Sequence, residues 1–301
     1  MNTSWQQPQE IVEQERSGWF EGFATVFRRQ MRAHSPWTDL LLATALPGLL
    51  LWITHTVEDR YAPFFHRGGD PDFLTRWGIL SIAALLLICG PLACLCGADA
   101  VPPIGQFEAT QSALLTRLTP SELCAGRLLA GLWLPISMVL TSCAFWLVAD
   151  LIAHHVAGHA TVFGALFQAH CVLLCFVGFL GAIAFLCALR RRPGRNWGRG
   201  AGVAFLAMVG CTGALFALNP LIDRMNDPSH LIEAGLWVNP VAAVVGPFQI
   251  DLLREDWLYN RTDAHDYPFV YPWPAASALL FALAGSGAIG LSARRLRRAY
   301  R

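Results

Sequence analysis

VFGALFQAHCVLLCFVGFLGAIAFLCALRRRPGRNWGR, residues 162–199, sets a long apolar run against Arg190, Arg191, Arg192, Arg195 and Arg199. A bilayer core about 30 Å thick is crossed by roughly 20 mostly apolar helical residues, and 162–189 supplies them without an acid or an arginine. Strands of a barrel are shorter and alternate in hydrophobicity, which this run does not. It reads as a transmembrane helix that ends at an aqueous boundary.

Five more runs of this kind lie on either side: 40–57, 78–96, 128–151, 202–218 and 273–291. The composition agrees, with 54% hydrophobic and 14% charged residues in 301, the charges crowded into short segments. The expected fold is an all-α integral membrane protein with six transmembrane helices. Pro47, Pro91 and Pro135 fall inside three runs and predict kinks, because neighbouring helices can re-satisfy a freed carbonyl.

Arginine near short loops marks the cytoplasmic side. Sixteen of the twenty-two arginines lie before the first run, between the second and third, between the fourth and fifth, or after the sixth. Both termini are therefore expected in the cytoplasm, in a multi-pass protein of the cell (inner) membrane. The first 35 residues lack the short apolar core of a signal peptide, so the first span is expected to be retained.

Two parts are expected. Residues 1–36 form a cytoplasmic N-terminal segment, in which Trp19, Phe20, Phe23, Val26, Phe27 and Met31 recur at helical spacing beside Arg28, Arg29 and Arg32. This is the pattern of an amphipathic interfacial helix, either a plain anchor or a link to a cytoplasmic partner. Residues 37–301 form the six-helix membrane domain. Its long outer connection, 219–272, is too polar to cross whole, and Asn219-Pro220 and Asn239-Pro240 are expected to cap or interrupt helices around a re-entrant or surface-lying hairpin.

Chemistry is mostly excluded. The chain contains no Lys, so it cannot carry the Gly-Lys-Ser/Thr loop of an ordinary ATPase. Gly285-Ser286-Gly287 lies in an apolar run and reads as helix packing. The nine cysteines sit in or beside the spans and predict no disulfide framework; Cys94 and Cys96 read as packing residues. His154, His155, His159 and His170 gather at the outer connection after the third span and read as polar surface residues. Asp39, Asp99 and Asp150 fall at run ends, where water is expected to reach them. No catalytic, cofactor-binding or metal-ligating residue is assigned, and no nucleic-acid partner is expected.

One cytoplasmic segment carries a positive signal. EATQSALLTRLTPSELCAGR, residues 108–127, contains Thr-Pro-x-Glu, the form of a helix start with Thr119 as cap, Pro120 at the first position and Glu122 three residues after the cap. One short helix is expected to end near Leu118 and the next to run from Pro120 into the third span. Leu114, Leu115, Leu118, Leu123 and the stem of Arg117 can form an apolar side toward membrane or partner.

At these residues the chain resembles the membrane subunits of ABC transporters, specifically the type-2 exporter permease family. That family shows a pattern near T-L-E-L-L-L-x-T-P-L-S-P-x-E-I-x-x-G-K. Leu114, Thr116, Leu118, Thr119, Pro120, Glu122, Leu123, Gly126 and Arg127 keep step with it, and Arg117, Ala109 and Gln111 depart from it. The resemblance implies a short coupling helix between spans two and three, in which Glu108, Leu114, Leu115, Arg117, Leu118, Thr119, Pro120 and Glu122 receive the motion of a separate ABC ATPase subunit. It also implies that ATP is used by that partner and not by this chain. The assembly would pair the chain with a second copy or a related permease, within membrane lipid. Two other readings fit the same sequence: a membrane scaffold, or a membrane-embedded metal-dependent enzyme using the outer histidines.

Overall fold

The computed structural model describes residues 19–33, 45, 48, 73–101, 118–157, 161–189, 197–248 and 262–299. The first expected span, 40–57, lies outside them apart from residues 45 and 48, as do Asp39, His159 and most of the arginine cluster at 190–199. Among the described residues the regular elements are all helical. They are α1 (Trp19–Ala33), α2 (Phe73–Asp99), α3 (Pro120–Gly131), α4 (Trp133–Ala157), α5 (Phe163–Ala188), α6 (Trp197–Thr212), α7 (Ala214–Ile222), α8 (Ser229–Val238), α9 (Pro240–Val245) and α10 (Pro274–Ala299), with 3-10 turns at Gly246–Phe248 and Asp263–Asp266.

Among the described residues four helices are long and apolar enough to cross a membrane: α2, α4, α5 and α10. They overlap the runs at 78–96, 128–151, 162–189 and 273–291, but the third run is divided at Leu132, where the helix from Pro120 ends instead of running on into the span. Two bent pairs, α6 with α7 at 49° and α8 with α9 and its 3-10 turn at 80°, raise the number to six if each pair is one span. The chain is an all-α protein built to be embedded in a membrane.

The opening stretch of sequence is the axis of the fold. Its helix, α5, is about 39 Å long at 1.5 Å per residue and is packed by α2, α4, α6, α9 and α10. Phe176, Leu173, Leu180 and Phe185 are fully buried there. In lipid no hydrophobic drive pulls apolar helices together, so close packing must do it, and small residues permit close packing. A Cβ on Gly97 of α2 would stand 2.4 Å from the Gly181 carbonyl oxygen of α5, and one on Gly200 of α6 would stand 2.6 Å from that of Ala184. Between α2 and α4 the apolar layer holds a polar hook: Trp146 Nε1 donates to Ser81 Oγ at 2.9 Å.

Two helical breaks differ from the expectation. The fifth run, 202–218, is divided at Gly213, and Asn219-Pro220 does not interrupt a helix, because Pro220 is taken up inside α7. Asn239-Pro240 behaves as expected. Asn239 is fully buried, its Oδ1 accepts from Val241 N at 2.9 Å and Ala242 N at 3.2 Å, and its Nδ2 donates to the Thr212 carbonyl at 3.2 Å. One side chain thus caps α9 and ties it to the end of α6. Around it Leu215, Ile222, Ile232, Leu236 and Val245 form a second, smaller core.

Two expected surface residues are interior. Asp150 is 2% exposed, and its Oδ1 accepts from Val162 N at 3.1 Å, tying α4 to the start of α5. His170 is 1% exposed; its Nδ1 lies 2.7 Å from the Leu166 carbonyl and its Nε2 3.4 Å from Ser142 Oγ. Position along the chain placed both near a loop, but each falls on the helix face that meets a neighbour. His154 and His155 are exposed, as expected.

Candidate functional site: the elbow at residues 118–132

The elbow begins with a formed capping box. Thr119 is extended at φ −77° and ψ 151°, Oγ1 accepts from Glu122 N at 3.3 Å, and Glu122 Oε2 accepts from Thr119 N at 2.6 Å. Pro120 takes the first helical position, where no amide hydrogen is needed. Such a cap fixes the entry of the chain into the helix and is worth about 1 kcal/mol.

Of the expected coupling residues, Leu118, Thr119, Pro120 and Glu122 are described; Glu108, Leu114, Leu115 and Arg117 lie outside the described residues. Leu118 packs half-buried against the main core, and Thr119 is exposed. Glu122 is 5% exposed and sits under α1: a Cβ on Gly22 would stand 2.8 Å from its carboxyl carbon. Leu123, expected on an outward apolar side, is buried in the main core, because the capped helix turns that face toward α1 and α10.

The N-terminal helix is the residue set that sequence reasoning left apart from the elbow. Gly126 lies against Val26, where an added Cβ would meet the Val26 side chain at 2.9 Å, and Phe27 meets Trp133 edge-on with centroids 6.2 Å apart. Gly22 with Val26 and Glu122 with Gly126 both sit four residues apart. Two helices laid side by side on that spacing bring glycine opposite bulk twice. The signal was present as spacing, but it belongs to a pair of segments a hundred residues apart.

At the other end of α3 the chain breaks at Leu132, φ −82° and ψ 6°, and restarts as α4. Pro135 has no amide hydrogen for the Gly131 carbonyl, while Ile136 N bonds the Leu132 carbonyl at 3.0 Å. The Leu132 side chain fills the space over Gly181, where a Cβ would stand 2.6 Å from Leu132 Cδ1. The elbow is therefore keyed to α1 at its start and to the central helix at its end. At this same end Arg295 Nη1 donates to the Leu186 carbonyl at 3.0 Å, closing the last turn of α5.

Beside the elbow lies a groove of about 330 Å³ between α1, α3, α4, α5 and α10. Among the described residues its wall is apolar except for Ser286 and includes Phe23, Leu129, Ile136, Gly178 and Phe281. Among the described residues no group of three His, Cys, Asp or Glu side chains is placed to hold a metal ion. Electrostatically the elbow is dry: burial pushes the Cys124 thiol up to about 12, against the smaller opposing pull of the Arg127 cation.

No family of known proteins, no curated protein and no solved structure matches this chain.

Proposed function

We propose that this chain is the permease subunit of an ABC exporter, forming the transmembrane pathway and taking its energy from a separate ATPase subunit that grips the elbow from the cytoplasm. The carrying observation is the elbow itself: a capped helix start at Thr119–Glu122, locked under α1 at Gly22 and Gly126, and keyed through Leu132 to Gly181 on the central helix. A push on residues 114–122 would be passed to the packed interior without slack. A nucleotide cycle can bias one membrane arrangement over another only through contacts that differ between them. A rigid lever on the aqueous side supplies the place for such contacts.

In this reading α1 lies in the inner interface and belongs to the lever, the bent pair α8–α9 is a re-entrant segment on the outer side, and both termini are cytoplasmic. Two copies, or this chain and a related permease, enclose one pathway in the inner membrane, paired with two ATPase subunits. ATP is hydrolysed in the partner. The enzyme reading has less support: His170 is buried against Leu166 and Ser142 while His154 and His155 are exposed.

The test is cross-linking and turnover in the membrane. A cysteine at Thr119 is expected to cross-link to a co-purifying P-loop ATPase, and Leu118→Glu to leave ATP hydrolysis running while substrate efflux stops. Thr119 labelled from the outer side, or no ATPase captured there, would end the proposal.

A further inference from the structure

The groove beside the elbow has a shape and a chemistry of its own, independent of the permease reading. Among the described residues nothing lies within 4 Å of where a Cβ on Gly178, in its floor, would stand. Ile136, Gly178 and Phe281 belong to three helices that are each long and apolar enough to span, so the groove runs between candidate spans. Among the described lining side chains water would find only the Ser286 hydroxyl, and a buried water needs two to four polar partners. An extended peptide would leave its amides unpaired there. An alkyl chain has no polar group to satisfy and fits a groove of this size.

Charge places the other half of the ligand. Phe23 of α1 lines the groove, and Arg28 and Arg29 are exposed farther along the same helix. On α10, Ile289 lines the groove and Arg294 is exposed beyond it. The exposed acid on α1, Glu21, lies before Phe23, toward the other end of the helix. We propose that this groove holds one acyl chain of an anionic phospholipid, with its phosphate at the level of Arg28 and Arg29.

The experiment uses the full chain, carried through vesicles of equal phosphatidylglycerol and phosphatidylcholine, extracted, and weighed by native mass spectrometry. One retained phospholipid per chain is expected, the anionic lipid preferred about thirtyfold, as two arginines near the surface at about 1 kcal/mol each would give. Gly178→Leu fills the groove from an open position and is expected to remove the lipid while helix content and thermal midpoint stay in place. Arg28→Gln with Arg29→Gln is expected to keep a lipid and abolish the preference. The proposal is overturned if Gly178→Leu leaves the lipid count unchanged, or if the arginine pair leaves the preference unchanged. It is also overturned if Cys175, which lines the groove, cross-links to Cys175 of a second copy or to a cysteine placed at Leu50, since either would put protein where the lipid belongs.

Discussion

At the arginine-rich end, Glu122 lies against Gly22, Val26 against Gly126, Leu132 against Gly181 and Gly97 against the Gly181 backbone. At the opposite end, α6 breaks from α7 at Gly213, α8 breaks from α9 at Asn239, and one buried amide holds the pieces. The first region is made stiff by backbones brought into contact, the second is held by hydrogen bonds across bends. A bundle joined this way should move as a lever at one end and rearrange at the other. The difference follows from residue choice: glycine against bulk leaves no room for sliding, whereas a break at Gly or Asn-Pro concentrates any motion into one joint.

The comparison breaks most visibly at Gly97. An alanine there must part α2 from α5, since the clash is with backbone and not with a flexible side-chain tip. Overpacking of this kind is expected to cost about 3 kcal/mol or more, read as a lowered unfolding midpoint in detergent across the whole bundle. Wild-type stability in Gly97→Ala would mean that the helices are loosely held.

Asn239→Ala sharpens the other side. It leaves Val241 N, Ala242 N and the Thr212 carbonyl without their partner, at a cost of about 2 kcal/mol. Because these groups serve the smaller core, hydrogen exchange is expected to rise over 212–248 while α2, α5 and the elbow keep their protection. Uniform loss of protection would show that the two ends are one cooperative unit.

These contrasts were unequally legible. The spans at 78–96, 162–189 and 273–291 could be read because continuous apolarity over a bilayer's thickness has few other uses, and the cap at Thr119–Glu122 because its signal lies within four residues. Asn239-Pro240 announced a break for the same local reason. Pro220 did not break α7, although it has no amide hydrogen to give the Phe216 carbonyl, and the bend fell at Gly213 instead. Asp150 and His170 were read as wet because sequence gives their distance from a loop and not the helix face they occupy. The docking of α1 on the elbow depends on Gly22 meeting Glu122, a tertiary pairing that periodicity in either segment cannot specify.

Glu122→Gln comes next in size. The amide can still accept from Thr119 N but loses the charge-assisted bond, so about 1 kcal/mol of local stability is expected to go. If the elbow is a lever, efflux per ATP should fall more than stability does. Equal, small losses in both would reduce the elbow to a structural corner.

Near neutral pH the smallest effect on stability is expected from a change of pH acting through Cys124. The thiol lies N-terminal to the span, is 2% exposed, and is pushed up from 9.0 to about 12 by burial. A thiol whose folded value is raised stabilises the packed elbow fully below its unfolded value and loses that contribution as pH rises from 9 toward 12. At pH 8 its thiolate fraction is about a thousandth of an ordinary cysteine's, so maleimide labelling should be slower by about that factor, and slower still through lack of access. Gly22→Leu, which must lift α1 off Glu122, is expected to bring Cys124 labelling up toward the free rate without unfolding α5. Labelling that stays blocked in that variant would mean that the membrane helices, and not α1, keep the elbow dry.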